Sequence, residues 1–241
     1  MAKSSKSAPK QSPPPQSRPK PETRSAAAAP PRNWLERPAP APASPLQQKI
    51  FWGLSALMLA VMLALSLGVG INADDKFQND YSAKLVSYYS TFGKDTSALY
   101  VPDGNMHLYG GFFETVTGFA NKAFGWTPAD LAYHNLRHGF SAFLGWVAML
   151  CAALLAQHIA GARAGWIALV LLFFSPRFLG DALINPKDIP FAAGYVMALY
   201  NMVRVLDRID RPARRHLVGL AAGLAIALAM RAGGLLSFAY L

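Results

Sequence analysis

The stretch FWGLSALMLAVMLALSLGVGI, residues 51–71, runs for 21 residues without a charge, and two residues later comes an acidic pair, Asp74 and Asp75. As a helix rising ~1.5 Å per residue it spans ~31 Å, which matches the ~30 Å hydrocarbon core of a bilayer. The leader of 49 residues and the length of the run are both too great for a cleaved signal peptide, so the run is expected to be an uncleaved membrane anchor. Two adjacent carboxylates at its outlet, ahead of a long extramembrane segment, stand where a membrane enzyme could keep acid–base chemistry beside a lipid-borne substrate.

Upstream of the anchor, residues 1–49 are rich in Pro, Ala, Ser and Lys. Such a composition cannot bury a core, and a disordered cytoplasmic tail is expected there. The chain carries a formal net charge of +10, a balance that could point to nucleic acid. The distribution argues otherwise. Nine of the 23 Lys and Arg residues lie in the first 49 positions and five more between Arg204 and Arg215. A basic tail and one basic loop beside apolar runs are the flanks of cytoplasmic membrane segments, and nucleic acid is not expected as a partner. The single cysteine, Cys151, excludes an intrachain disulfide.

Four further apolar runs follow, at residues 139–156, 164–176, 189–203 and 217–230, the second continuing past Arg177. With the anchor they predict an all-α, polytopic helical membrane protein of about five transmembrane helices, occupying residues 50–241. The excess of Lys and Arg puts the N-terminus and the loops at 158–163 and 204–216 inside. The first outer loop is then residues 73–138, with five basic and seven acidic residues. Within it, residues 76–92 and 109–124 carry aromatic and aliphatic side chains at helical spacing, which predicts amphipathic helices on the outer leaflet or in a small outer subdomain. Thr127-Pro128-Ala129-Asp130 is expected to open another helix, with Thr as cap and Pro at its first position.

Parity brings the unusual charges to one face. Asp74 and Asp75 lie at the outer end of the first span, and Arg137-His138 at the outer start of the second. Arg177, Asp181, Lys187 and Asp188 occupy the outer turn between the third and fourth spans. Arg231, 14 residues into the inside-to-outside fifth span, rises ~21 Å and approaches the same level. Ionisable groups at membrane depth are costly unless paired or facing a cavity, which makes them functional candidates. Arg and Lys in the outer turn suit a phosphate or pyrophosphate. A carboxylate opposite suits deprotonation of an attacking hydroxyl.

The order of motifs then resembles a known family. Ala73-Asp74-Asp75-Lys76-Phe77 follows the first span, and Tyr109-Gly110-Gly111-Phe112-Phe113-Glu114 and Arg137-His138 come next. Ser175-Pro176-Arg177-Phe178 leads to Asn185-Pro186-Lys187-Asp188-Ile189-Pro190-Phe191. This pattern, over residues 50–241, resembles the membrane-embedded glycosyltransferases of the GT-C superfamily, in particular the protein O-mannosyltransferases (glycosyltransferase family 39) and lipid A aminoarabinose transferases. The resemblance implies a polyprenyl-phosphate sugar donor and an inverting transfer to an acceptor hydroxyl on the non-cytoplasmic face. It implies a catalytic carboxylate at Asp74 or Asp75 and a second acid at Asp188. Arg137, Arg177 and Lys187 are its nearest matches to donor phosphate ligands, with Arg231 added by depth alone. Tyr109, Glu114, His138 and Asp181 are the accompanying candidates for the substrate groove. Some relatives use a divalent metal near these acids and others none, so no metal ligand is assigned. Family members run considerably longer, which implies that the chain corresponds to their N-terminal half. Two other readings of the same residues are a transporter with a charged outer vestibule and a non-catalytic membrane scaffold.

Overall fold

The computed structural model describes residues 40–240, and every regular element among them is helical. The expected tail lies outside the described residues as far as position 39. Its last residues belong to the first helix, α1 (Pro45–Ser66), which begins six residues ahead of the apolar run. The local reason is a capping box: Ser44 Oγ accepts from the Gln47 amide, the Gln47 side chain accepts from the Ser44 amide at 2.8 Å, and Pro45 fills the first turn.

The segment that follows folds into α2 (Asp75–Ser90) and α3 (Phe112–Phe124), joined by short 3₁₀ turns at Ser97–Leu99 and Asp103–Leu108. These two helices lie where the aromatic spacing predicts them. They pack on each other, and Tyr81, Leu85, Ala98, Val101 and Met106 form a small core of their own. The expected helix start at Thr127 is displaced. Thr127 donates through both its amide and its hydroxyl to the Asp130 carboxylate, at 2.7 and 2.8 Å, closing a turn. The helix α4 (Leu131–Ala160) begins only after Asp130.

Helix α4 is the hub of the molecule and contacts α1, α5 (Ala162–Phe173), α6 (Pro176–Ile184) and α7 (Asp188–Leu206). Helix α8 (Arg214–Met230) packs along α7, and a 3₁₀ segment, Ala232–Tyr240, ends the described chain. The expected single run through Arg177 is broken: Ser175 Oγ accepts from the Phe178 amide, Pro176 opens a new helix, and α5 and α6 meet at a 66° bend. Proline has no amide to continue the ladder and disfavours helix in the residue before it, which accounts for the break.

Three helices, α1, α4 and α7, are long and apolar enough to cross a membrane, and α5 with α6 makes a fourth if the bent pair is one span. Helix α8 has 17 residues and falls just short of that length. The main core joins Met58 and Met62 of α1, Ala142, Ala148, Met149 and Ala153 of α4, Leu169 of α5, Ala182 of α6 and Ala193 of α7. It is rich in alanine, so backbones approach closely. One close approach is between α7 and α8, where a Cβ on Gly194 would meet the backbone of Gly223 and Ala227, and one on Gly223 the backbone of Ala198. Small residues at such crossings give the van der Waals contact that holds helices together where water supplies no driving force. Trp146 Nε1 fastens α4 to α1 by donating to the Ser55 carbonyl and hydroxyl, both at 3.0 Å.

Candidate functional site

Three helix ends meet at one end of the bundle. Asp74 is the residue before α2, Lys187 the residue before α7, Asp188 the first residue of α7, and Arg231 the residue after α8. Asp74 Oδ2 accepts from Lys187 Nζ at 3.1 Å, and Asp188 Oδ1 pairs with Arg231 Nη2 at 2.5 Å. Tyr109 lies between the two pairs, its ring centroid 5.1 Å from the Lys187 ammonium and 5.5 Å from the Arg231 guanidinium, within the range of cation–π attraction. Its backbone is fixed by its neighbour: the Gly110 amide donates to the Met230 carbonyl at 2.9 Å, and a Cβ on Gly110 would fall on the Ala229 carbonyl.

The turn that carries Lys187 and Asp188 is built by Asn185. Its Oδ1 accepts from the amides of Lys187 and Asp188, at 3.1 and 2.9 Å, while its Nδ2 donates to Asp188 Oδ2 at 3.1 Å. The side chains of an asparagine and an aspartate thus aim the cation and the carboxylate before α7 starts. A cleft of about 380 Å³ opens here, lined by Asp74, Gln78, Asp181, Asn185, Lys187 and Asp188 among others. A second, aromatic groove of about 600 Å³ reaches the same region through Gly110 and Ala229, with Tyr81, Tyr88, Tyr89 and Phe112 along it. Burial raises the Tyr81 hydroxyl above its ordinary value, with nearby Tyr89 and Glu114 adding to the rise.

The remaining candidates occupy other positions. Asp75, adjacent to Asp74 in the chain, is only 5% exposed, and its carboxylate accepts from the Asn72 amide at 3.0 Å. Arg137 and Glu114 are both buried and form a two-pronged pair, with Arg137 Nη1 donating to Glu114 Oε2 at 2.7 Å and Nη2 to Oε1 at 3.0 Å. Arg137 Nη1 also reaches Thr117 Oγ1 at 3.1 Å, and the guanidinium stacks near Phe113 and Tyr133. This arrangement ties α3 to α4 beneath the cleft. Burial pushes the Glu114 carboxyl above the usual carboxylate range, against the opposing pull of Arg137. His138 is buried beside Asp75 and Ser141. Arg177 stands at the exposed end of α6, 89% exposed, and its Nε pairs with Asp181 at 2.8 Å.

The site therefore gathers Asp74, Asp181, Lys187 and Asp188 in one cleft, with Arg231 and Tyr109 beside it, and keeps Asp75, Glu114, Arg137 and His138 below it. Sequence reasoning missed Asn185 and Gln78. The first was signalled by an Asn-Pro turn just ahead of the charged pair, and the second by its place one helical turn after Asp74. Among the described residues, no group of three or more His, Cys, Asp or Glu side chains is disposed to hold a metal ion. Compared with protein-family models, curated proteins and solved structures, the chain matches none.

Proposed function

We propose that this protein is a multi-pass membrane glycosyltransferase of GT-C type, with five spans and its cleft on the non-cytoplasmic side, transferring a sugar from a polyprenyl-phosphate donor to an acceptor hydroxyl. The observation that carries the reading is the cleft itself, in which two carboxylates, Asp74 and Asp188, are each held against a cation, Lys187 and Arg231, at helix ends. The order of motifs that resembles the GT-C enzymes supports it. So do the outward-facing apolar side chains of α1 and α5, such as Trp52, Leu57, Ile167 and Leu171, which suit contact with lipid.

In this reading the donor phosphate enters between Lys187 and Arg231 and takes over the charge-assisted hydrogen bonds now made by the carboxylates. Asp74, released from Lys187, accepts the proton of the acceptor hydroxyl as its oxygen attacks the anomeric carbon. The bond between that carbon and the phosphate oxygen breaks, and the electron pair leaves with the polyprenyl phosphate. Lys187 and Arg231 stabilise the charge that develops there, which is where fixed electrostatics contribute most. Attack opposite the leaving group inverts the anomeric centre. Before the donor enters, Asp188 holds Arg231 in place, and the Tyr109 ring contacts both cations.

The roles separate kinetically. Lys187→Ala and Arg231→Ala are expected to raise KM for the donor, whereas Asp74→Asn is expected to lower kcat with donor binding kept. Donor affinity unchanged from the parent chain in both cation variants, measured by competition with polyprenyl phosphate, would remove the phosphate site from this account.

A further inference from the structure

Beneath the cleft lies a second, smaller cavity of about 10 Å³, walled by Asp75, Gln78, Arg137, His138 and Ser141 with Phe113 and Pro186. Its polar walls are deeply buried: Gln78 is 2% exposed, Ser141 1% and His138 5%. Three of their polar atoms, Gln78 Oε1, His138 Nδ1 and Ser141 Oγ, have no protein partner. Buried polar atoms left unsatisfied are rare and costly in native proteins. Three around one small cavity, beside a buried carboxylate, require a common explanation.

We propose that this cavity is a single-water site in which one water molecule bridges Asp75, Gln78, His138 and Ser141. The space suits it, because a water needs ~10–15 Å³ of accessible volume and two to four polar partners. The chemistry balances. A water donates twice and accepts twice; Gln78 Oε1 and the Asp75 carboxylate are acceptors, and the Ser141 hydroxyl and a His138 Nδ1–H are donors. A bound cation fits less well, since Arg137 is one of the lining residues. Gln78 also lines the large cleft, as do Ile184 and Pro186, so this water stands one side chain away from the cleft floor.

The site gives Asp75 a role different from that of Asp74. Asp75 has no cation in ion-pair range, and the charged groups that act on it are Glu114 on α3 and Arg137 on α4. The water supplies part of the solvation that burial removes, and holds the carboxylate in place against α4. Asp75, Gln78, His138 and Ser141 are in this sense positioning residues. The inference stands on the packing alone and is independent of the glycosyltransferase reading.

Two measurements on the full chain test it. In-situ radiolytic footprinting oxidises residues beside bound water even when they are buried, so His138 and Phe113 are expected to label like exposed side chains. Absence of labelling at both would overturn the site. The second compares Ser141→Ala with Ser141→Val by thermal unfolding in detergent. Valine displaces the water and strands the remaining polar atoms, so its Tm is expected to fall below that of the alanine variant by on the order of 5 °C. In a dry cavity valine fills empty space instead, and a Tm above that of the alanine variant would contradict the proposal. Loss of His138 labelling in folded Ser141→Val, with Ser141→Ala still labelled, is the further expected result, and labelling kept in both would contradict the proposal.

Discussion

Asp74 and Asp75 are chain neighbours with opposite surroundings, one paired with Lys187 at the cleft and one buried against α4. Asp74→Asn is therefore expected to cut the rate of sugar transfer by ~10²–10⁴, the range for loss of a general base, with little change in Tm. Asp75→Asn is expected to cost stability more than chemistry, because the amide keeps shape but alters the hydrogen-bond pattern of a buried group; parallel Tm and rate measurements separate the two. Glu114→Ala leaves Arg137 buried without its partner and is expected to destabilise by ~3–5 kcal/mol, read by denaturant or thermal unfolding. A pH effect follows from Asp95, whose carboxyl is held down at about 2 by the Ser87 hydroxyl and by the backbone and side chain of Ser97. A depressed carboxylate stabilises the fold above its unfolded value of ~3.9, and that contribution is lost as pH falls through about 2. Hydrogen-exchange protection of the turn at residues 91–99, relative to the intrinsic rate at each pH, is expected to fall across that window and not above it. At this scale the sequence was partly legible. Charge type and helix parity bring Asp74, Lys187, Asp188 and Arg231 to one level, but nothing in the spacing of Glu114 and Arg137, 23 residues apart, announces a buried pair. That pairing exists only once α3 docks on α4.

Among the elements, apolar length and aromatic spacing were readable, and helix ends less so. The positions of α2 and α3 follow from their aromatic residues, whereas α1 and α4 start where side chains compete for backbone amides. Ser44 wins an amide for α1; Thr127 gives its hydrogens to Asp130 and delays α4. The α5–α6 bend depends on Ser175 and Pro176, and Ser175→Ala is expected to cost ~0.5–2 kcal/mol through the lost cap. Because α6 carries Asp181 and leads into the Asn185 turn, the same change is expected to loosen the cleft, visible as faster modification of Lys187 by an amine reagent. The α7–α8 seam makes a stronger demand. Gly223→Leu forces a large side chain against the Ala198 backbone and is expected to destabilise by at least ~1–3 kcal/mol, moving α8 and with it Arg231.

For the whole molecule, the apolar runs foretold an all-helical chain, and every regular element among the described residues is helical. Three helices, or four with the bent pair, have the length and composition to cross a membrane; the five-span topology is the proposal that places the cleft outside. In a Cys151→Ser background, Asp103→Cys is expected to react with an impermeant maleimide in intact cells, and Asp210→Cys only after permeabilisation. The reverse pattern would put the cleft on the cytoplasmic side and remove the charge-bias argument. The central claim is that the Asp74–Lys187 and Asp188–Arg231 cleft transfers a sugar from a lipid phosphate. The most direct test is transfer of radiolabelled sugar from a polyprenyl-phosphate donor in membranes containing the chain, beside the same chain carrying Asp74→Asn. The account predicts transfer by the first and its near loss in the second at equal membrane insertion; equal transfer by both, or none by a correctly inserted chain, would contradict it.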